Sequence, residues 1–322
     1  MKRSAFVITA AAAAAARPAR AAVERPAIRY GISVDSTYML PAYLMQAQTW
    51  KTEGLSGDLI SFRGDAECMQ ALAGDSIDMM TGSTASLINV IASGQPITGF
   101  YSGFHVAGFY WYAVPGVKSW SDLRGKVVGV STFSSLIDSL TRYVLLKHGL
   151  TPEKDVQLIQ VGGSAASYQA LKSNRIAMAA LSVPFNYRAH DDAMTLLGVQ
   201  SKEVAPEWPA QCIMAKKSFI AQNPNTITAV LRAHVRALRL AHANKPLVTQ
   251  LYVDRLKYTP EDADRAYDEA LPTFDERGRL PGPRTMKIFW DIEEQSGAVK
   301  EPWPTTRFLD PHWIDTFRTW AP

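Results

Sequence analysis

The chain reads as an α/β protein of two lobes, and three observations carry that reading. Apolar β-like runs alternate with helix-like segments from Ile28 to Ser102, and again from about 115 to 210. A strand, a hydroxyl-rich turn and a helix start follow one another at Ile77–Ser86 and, roughly fifty residues on, at Val127–Ser135. Strand-like runs at Phe109–Val114 and Ala210–Lys216 bracket the second stretch, one leaving the first unit and one returning to it. Such alternation predicts parallel strands joined by crossover helices.

The first strand is Ile28–Ser33, and a helix follows from Ser36 to Thr52. Gly54 suits its C-terminal cap, because glycine alone enters the left-handed region freely. Leu59–Phe62 is the second strand, Asp65–Leu72 a helix stopped by Gly74, and Ile77–Met80 the third strand. Ser83–Ala92 is a helix ended by Gly94, and Pro96–Ser102 is the fourth strand. In the second unit, Asp122–Lys126 is a turn before the strand Val127–Val130. A helix Ser135–His148 capped by Gly149, a strand Val156–Val161, a helix Ser164–Leu171 and a strand Ile176–Val183 stopped by Pro184 follow. Helices are expected near 225–243, 246–256, 260–270 and 283–295, then a tail ending in Trp313–Trp320. The expected boundaries are 27–113 plus 211–322 for the first lobe and 114–210 for the second.

The two hydroxyl-rich turns point to chemistry. A helix start carries unpaired N–H groups and the positive end of the helix dipole. Hydroxyls beside it add donors, so Thr81–Ser86 and Ser131–Ser135 suit a small anionic or polar ligand without catalytic machinery.

The N-terminus reads as an export signal. Lys2 and Arg3 precede an apolar run, Phe6–Ala16, and Ala19-Arg20-Ala21 offers a cleavage pattern near Ala21. Lys2-Arg3-Ser4-Ala5-Phe6 leaves a general secretory or a degenerate twin-arginine route open. Losing Lys2, Arg3, Arg17 and Arg20 from the 34 basic residues balances the 30 acidic ones. A neutral mature chain argues against a nucleic-acid partner. The 47% apolar content of the full sequence supports a large core. The two cysteines, Cys68 and Cys212, are expected as buried free thiols, and no Cys-x-x-Cys or Cys/His cluster calls for a metal or redox cofactor.

Five segments together resemble one family: Leu72–Asp78, Ile91–Ile97, Trp120–Val130, Ala170–Ile176 and Phe219–Pro224. In their order and spacing they resemble the periplasmic solute-binding proteins of nitrate-, sulfonate- and taurine-type ABC importers, a group that includes pyrimidine-precursor-like receptors. The resemblance covers about 27–295. It implies the type II periplasmic binding fold, a two-segment hinge, a ligand between the lobes, a membrane permease as partner, a periplasmic location and a monomer as the default form.

Against that family pattern, Thr132, Ser134 and Ser135 match the second-lobe helix start that holds an anionic head group. Gly82, Ser83, Thr84 and Ser86 match the first-lobe turn, where Gly82 would admit close backbone approach. Both sets also suit plain N-capping. Asp35, Ser36 and Tyr38 follow the first strand at another cleft position. Asp35 would cap a helix or pair with a cationic ligand group, and Tyr38 would cover a ligand face. His105 is a candidate donor to a carboxylate or sulfonate. Phe185, Asn186 and Tyr187 follow the strand ending at Pro184 and would line the cleft floor. The aromatic run Phe100–Tyr112 reads mainly as core and hinge packing, and Arg232, Arg236 and Arg239 as a solvated helix face. The expected function is capture of a small organic anion, a carboxylate or sulfonate with or without an aromatic ring. The alternatives are a ligand-sensing module for a signalling partner and an enzyme on the same fold.

Overall fold

The computed structural model describes residues 22–322. The signal segment assigned to residues 1–21 lies outside the described residues. Strand β1 (Ala27–Ile32) leads through Ser36 into a helical stretch whose regular part is α1 (Leu40–Leu44). The single helix expected over 36–52 is interrupted: Met45–Thr49 forms a wide turn in which the Trp50 N–H bonds the Met45 carbonyl at 2.9 Å. Gly54 closes the stretch at φ 75°, a backbone angle that strains any residue with a Cβ. Then come β2 (Ser56–Ser61), α2 (Asp65–Ala73), β3 (Met79–Ser83), α3 (Thr84–Ala92) and β4 (Ile97–Phe104). The second unit holds β5 (Tyr110–Ala113), β6 (Val127–Val130), α4 (Leu136–Lys147), β7 (Gln157–Gln160), α5 (Ser164–Lys172), β8 (Met178–Leu181), α6 (Phe185–Asp191), β9 (Thr195–Val199) and the short α7 (Gln200–Glu203). The chain returns as β10 (Gln211–Lys216) and continues through α8 (Lys217–Gln222), α9 (Pro224–Ala243), α10 (Lys245–Leu256), α11 (Pro260–Ala270) and α12 (Pro283–Gln295). Two short helices, His312–Asp315 and Phe317–Trp320, end it.

The strands form two five-stranded sheets, ordered β2-β1-β3-β10-β4 and β7-β6-β8-β5-β9. Tyr30 of β1 lies beside Leu59 of β2 and Met79 of β3, all parallel. Val128 of β6 lies likewise between Leu158 of β7 and Met178 of β8. Each sheet then accepts one antiparallel strand: β10 enters between β3 and β4, and β5 between β8 and β9. The strand at 110–113, counted with the first lobe on sequence, therefore pairs in the second sheet. The chain crosses between the sheets at 105–109 and again near 200–210.

Strands β3, β4 and β8 are buried along their whole length, which suits apolar runs covered on both faces. Phe100, Tyr101, Phe104, Trp111 and Tyr112 of the aromatic run are buried in this core, and Trp208 in the second crossing packs on Phe289 of α12. Cys68 and Cys212 are free and buried, and burial pushes both thiols up, so neither is set up as a nucleophile.

Arg232 and Arg236 are not a solvated face. Their Nε atoms each lie 2.7 Å from the buried Glu53 carboxylate, while Arg239 pairs with Glu276 at 3.0 Å. The periodicity was that of an ion-pair seam, with its acidic partner far away in the chain.

Two buried titratable groups lack such support. Both ring nitrogens of His234 are buried without a hydrogen-bond partner, edge-on to Tyr101 and Phe104. Burial lowers its pKa from 6.5 to about 3. The native state thus refuses a proton that the unfolded chain accepts, and stability that is intact above pH 6.5 is lost as pH falls toward 3. Glu293 Oε2 is also buried and unpartnered, and burial raises its pKa from 4.5 to about 8. Its contribution is intact below pH 4.5 and is lost as pH rises toward 8. His234→Leu is expected to flatten the acid limb of the stability curve and Glu293→Gln the alkaline limb, each by about 2–3 kcal/mol. Urea unfolding at several pH values from 4 to 8 measures this, and curves parallel to wild type would count against it.

Candidate functional site

A cavity of about 320 Å³ lies between the two sheets. It is lined by residues that follow the carboxyl ends of parallel strands: Ser33–Ser36 after β1, Arg63–Asp65 after β2, Ser83 ending β3, Ser131 and Thr132 after β6, Gly163–Ala166 after β7, and Ser182 after β8. Crevices in α/β folds form there because loops and helix starts emerge together at that end. Phe109, Phe185 and Tyr258 supply aromatic surface.

The second-lobe wall is built from two helix starts. Ser135 caps α4: its Oγ accepts the Asp138 N–H at 3.3 Å and lies 2.8 Å from Ser131 Oγ. The N–H groups of Leu136 and Ile137, the first two residues of α4, have no intrahelical acceptor by position, and both residues line the cavity. Asp138 takes the Ser134 N–H and pairs with Arg142, each at 2.8 Å, so this carboxylate is held against its own helix. Helix α5 starts at Gly163 with no side-chain cap, and Ala165 and Ala166 bring their N–H groups to the cavity wall bare of bulky side chains. Ser164 Oγ and Ser182 Oγ lie 2.9 Å apart beside them.

The first-lobe wall is more self-satisfied. Ser83 caps α3, donating to Ser86 Oγ at 2.9 Å and accepting the Ser86 N–H at 3.1 Å. Asp35, considered on sequence as a partner for a cationic ligand group, already pairs with Arg255 at 3.1 Å and accepts from Tyr43 at 2.9 Å. Ser36 Oγ is buried at the wall without a partner, although its N–H donates to Tyr43 Oη at 3.0 Å. Tyr38 Oη donates to the Gly108 carbonyl in the first crossing at 3.3 Å. Burial, reinforced by Glu269, pushes the Tyr38 phenol well up, so it stays a neutral donor. Tyr258 Oη reaches the Val183 carbonyl of the second lobe at 3.0 Å.

The cavity gathers Asp35, Ser36, Tyr38, Ser83, Thr132, Ser135 and Phe185 from the sequence candidates. Ser86 and Ser134 line an adjoining groove instead. Gly82, Thr84, His105 and Asn186 lie outside both. Gly82 sits in packed surroundings: a Cβ there would lie 2.5 Å from Met80 Cε and 3.2 Å from Asp65 Oδ1, so the Met80 side chain would have to move. Thr84 is buried under the start of α3. His105 donates from Nε2 to the Arg279 carbonyl at 2.7 Å, tying the first crossing to the C-terminal region. Asn186 is buried within α6. Sequence reasoning missed the α5 start, Asp65, Gln211 and Tyr258. A third occurrence of strand, small-residue turn and helix at Val156–Ala166 was the available signal for the first of these.

Residues 36–246 match the family model described as NMT1/THI5 like, more than half of the chain. The chain belongs to the NMT1/THI5-like family. YtlA of Bacillus subtilis (strain 168), described as a candidate binding protein, is 25% identical to this NMT1/THI5-like chain over 295 residues, covering 85% of each. The periplasmic nitrate-binding protein NrtA of Synechocystis PCC 6803 superposes with a TM-score of 0.76 at 15% identity, covering 93% of this chain and 89% of that one. The alkanesulfonate-binding protein SsuA of Xanthomonas axonopodis pv. citri, bound to MOPS, superposes with a TM-score of 0.72 at 14% identity, covering 90% and 99%. The fold of this NMT1/THI5-like protein is that of the periplasmic binding proteins, with two α/β lobes joined by two crossings.

Proposed function

We propose that this protein is the exported solute-binding component of an ABC importer that captures a small organic anion, a carboxylate or sulfonate, and hands it to a membrane permease. The observation that carries the reading is the pair of second-lobe helix starts, α4 and α5, opening on one cavity between hydroxyl groups. Such starts stabilise negative charge through aligned N–H groups and the helix dipole. Ser131, Ser135, Ser164 and Ser182 add hydroxyls, and the first lobe closes over the head group with Ser36, Tyr38 and Ser83. The lobes move about the crossings at 105–109 and 200–210, and ligand favours the closed form because it touches both walls. The sequence-based lobe limits, with β5 moved to the second lobe, describe the two moving bodies.

The test is a thermal-shift screen of protein that has been unfolded and refolded to shed copurified ligand. The probes are aliphatic and aromatic carboxylates, sulfonates and nitrate. A ligand at a hundredfold excess over its Kd is expected to raise Tm by about 5 °C. Ser131→Ala combined with Ser135→Ala should weaken the same ligand at least about tenfold, the worth of one charge-assisted hydrogen bond. Shifts confined to cationic or neutral compounds would sink the anion reading.

A further inference from the structure

A groove of about 360 Å³ adjoins the cavity and shares Asp65, Thr132 and Ser135 with it. Its floor is made by matching faces of two first-lobe helices. Helix α2 presents Ala66, Met69, Gln70 and Ala73, and α3 presents Ser86, Asn89, Val90 and Ser93. Both sets follow the i, i+3, i+4, i+7 spacing of one helix face. A helix face normally exposed this way carries charge, yet these two are apolar or neutral. The rim is the 132–135 loop of the second lobe. Phe133 stands there 45% exposed, one of two large apolar side chains so exposed among the described residues. It is held in place: its N–H donates to Gln160 Oε1 at 2.8 Å, and the Arg142 guanidinium lies 5.9 Å from its ring centre. Asn89 Nδ2 donates to the Ser134 carbonyl at 3.4 Å and joins the helix floor to the rim.

We infer that the ligand is a head-and-tail monoanion, and that this groove holds its uncharged tail under Phe133 while the head sits at the α4 and α5 starts. The inference rests on the head-group reading above. Three features support it. The groove lies directly beside the head-group cavity, with Asp65, Thr132 and Ser135 lining both. Its lining combines apolar side chains with neutral amides and hydroxyls, which suits an alkyl or aryl body with a few polar groups. The one charged side chain lining it, Asp65, is negative, accepts the Ser83 N–H at 3.1 Å, and has no cation within ion-pair distance among the described residues. A second negative charge on the ligand, placed in the groove, would face that carboxylate, which lines both spaces. Inorganic anions and diacids are therefore disfavoured relative to monoacids of matching length.

The experiment is calorimetric titration of refolded protein with ethanesulfonate, octanesulfonate, propionate, octanoate and octanedioate. Each buried methylene is worth about three- to fourfold in affinity, so the eight-carbon monoacids should bind at least about tenfold tighter than the short ones. Octanedioate should bind at least about tenfold more weakly than octanoate, because of the charge at Asp65. Ala66→Trp, on the exposed face of α2, should fill the groove and cancel the gain with length while leaving the short acids unchanged. Phe133→Ala should lower only the long acids. Affinity independent of chain length in the wild type, or an equal loss for short and long acids in Ala66→Trp, overturns the inference and leaves the head-group reading standing. Failure of every acid to bind overturns both.

Discussion

Ala166→Asp is expected to abolish capture of an anionic ligand without harming the fold. Ala166 is the third residue of α5 and faces the cavity. An aspartate in a first helical turn interacts favourably with the helix dipole, by about 0.3–1 kcal/mol, so Tm should hold or rise slightly. The same carboxylate would stand where the ligand's head group is proposed to lie. Two like charges about 4 Å apart repel by about 4 kcal/mol at an effective dielectric of 20. Allowing for solvent in an open cleft, affinity should fall at least about a hundredfold. Ala166→Asn brings nearly the same volume without the charge and should cost no more than about tenfold. Titration of both variants with one anion separates charge from bulk. If the aspartate variant binds that anion as well as the asparagine variant does, the α5 start is not where the head group sits. If it gains affinity for amines, the cleft reads cations.

What could be read locally was legible in the sequence. The turn at 131–135 and the start of α3 were visible because strand, hydroxyl cap and helix are adjacent in the chain. The swapped strands were harder. β10 was legible as the strand that returns to the first unit, but β5 looks like an ordinary continuation of that unit, and only its pairing with β8 and β9 places it in the second sheet. The α5 start went unnoticed as a site because glycine and alanine advertise no chemistry; their contribution is backbone N–H and empty space. The partners of the charged candidates were hidden for a related reason. Asp35 looks free until Arg255, 220 residues away, is placed on it, and His105 looks available until Arg279 takes it. A polar residue's role depends on whether its partner is in the ligand or in the fold, and that choice is made by tertiary contacts.

The seam of α9 shows the same rule at its highest energetic cost. Replacing both Arg232 and Arg236 by methionine is expected to destabilise the protein by about 3–5 kcal/mol, the cost of taking two guanidinium partners from a buried carboxylate. Glu53 has no side-chain exposure, whereas Arg232 is 16% and Arg236 is 36% exposed. The asymmetry decides which partner matters. Without Glu53 the guanidiniums can turn toward water, so Glu53→Ala should cost less than the double arginine variant. Without the guanidiniums, Glu53 cannot reach water from beneath α9. In a domain pair of this size the loss corresponds to roughly 5–8 °C in Tm. The single variants should also fall short of additivity, because one guanidinium still holds the carboxylate when the other is removed. Urea unfolding of Arg232→Met, Arg236→Met and the double variant provides the test. Small, additive losses would show that the seam behaves as an ordinary surface pair despite its burial.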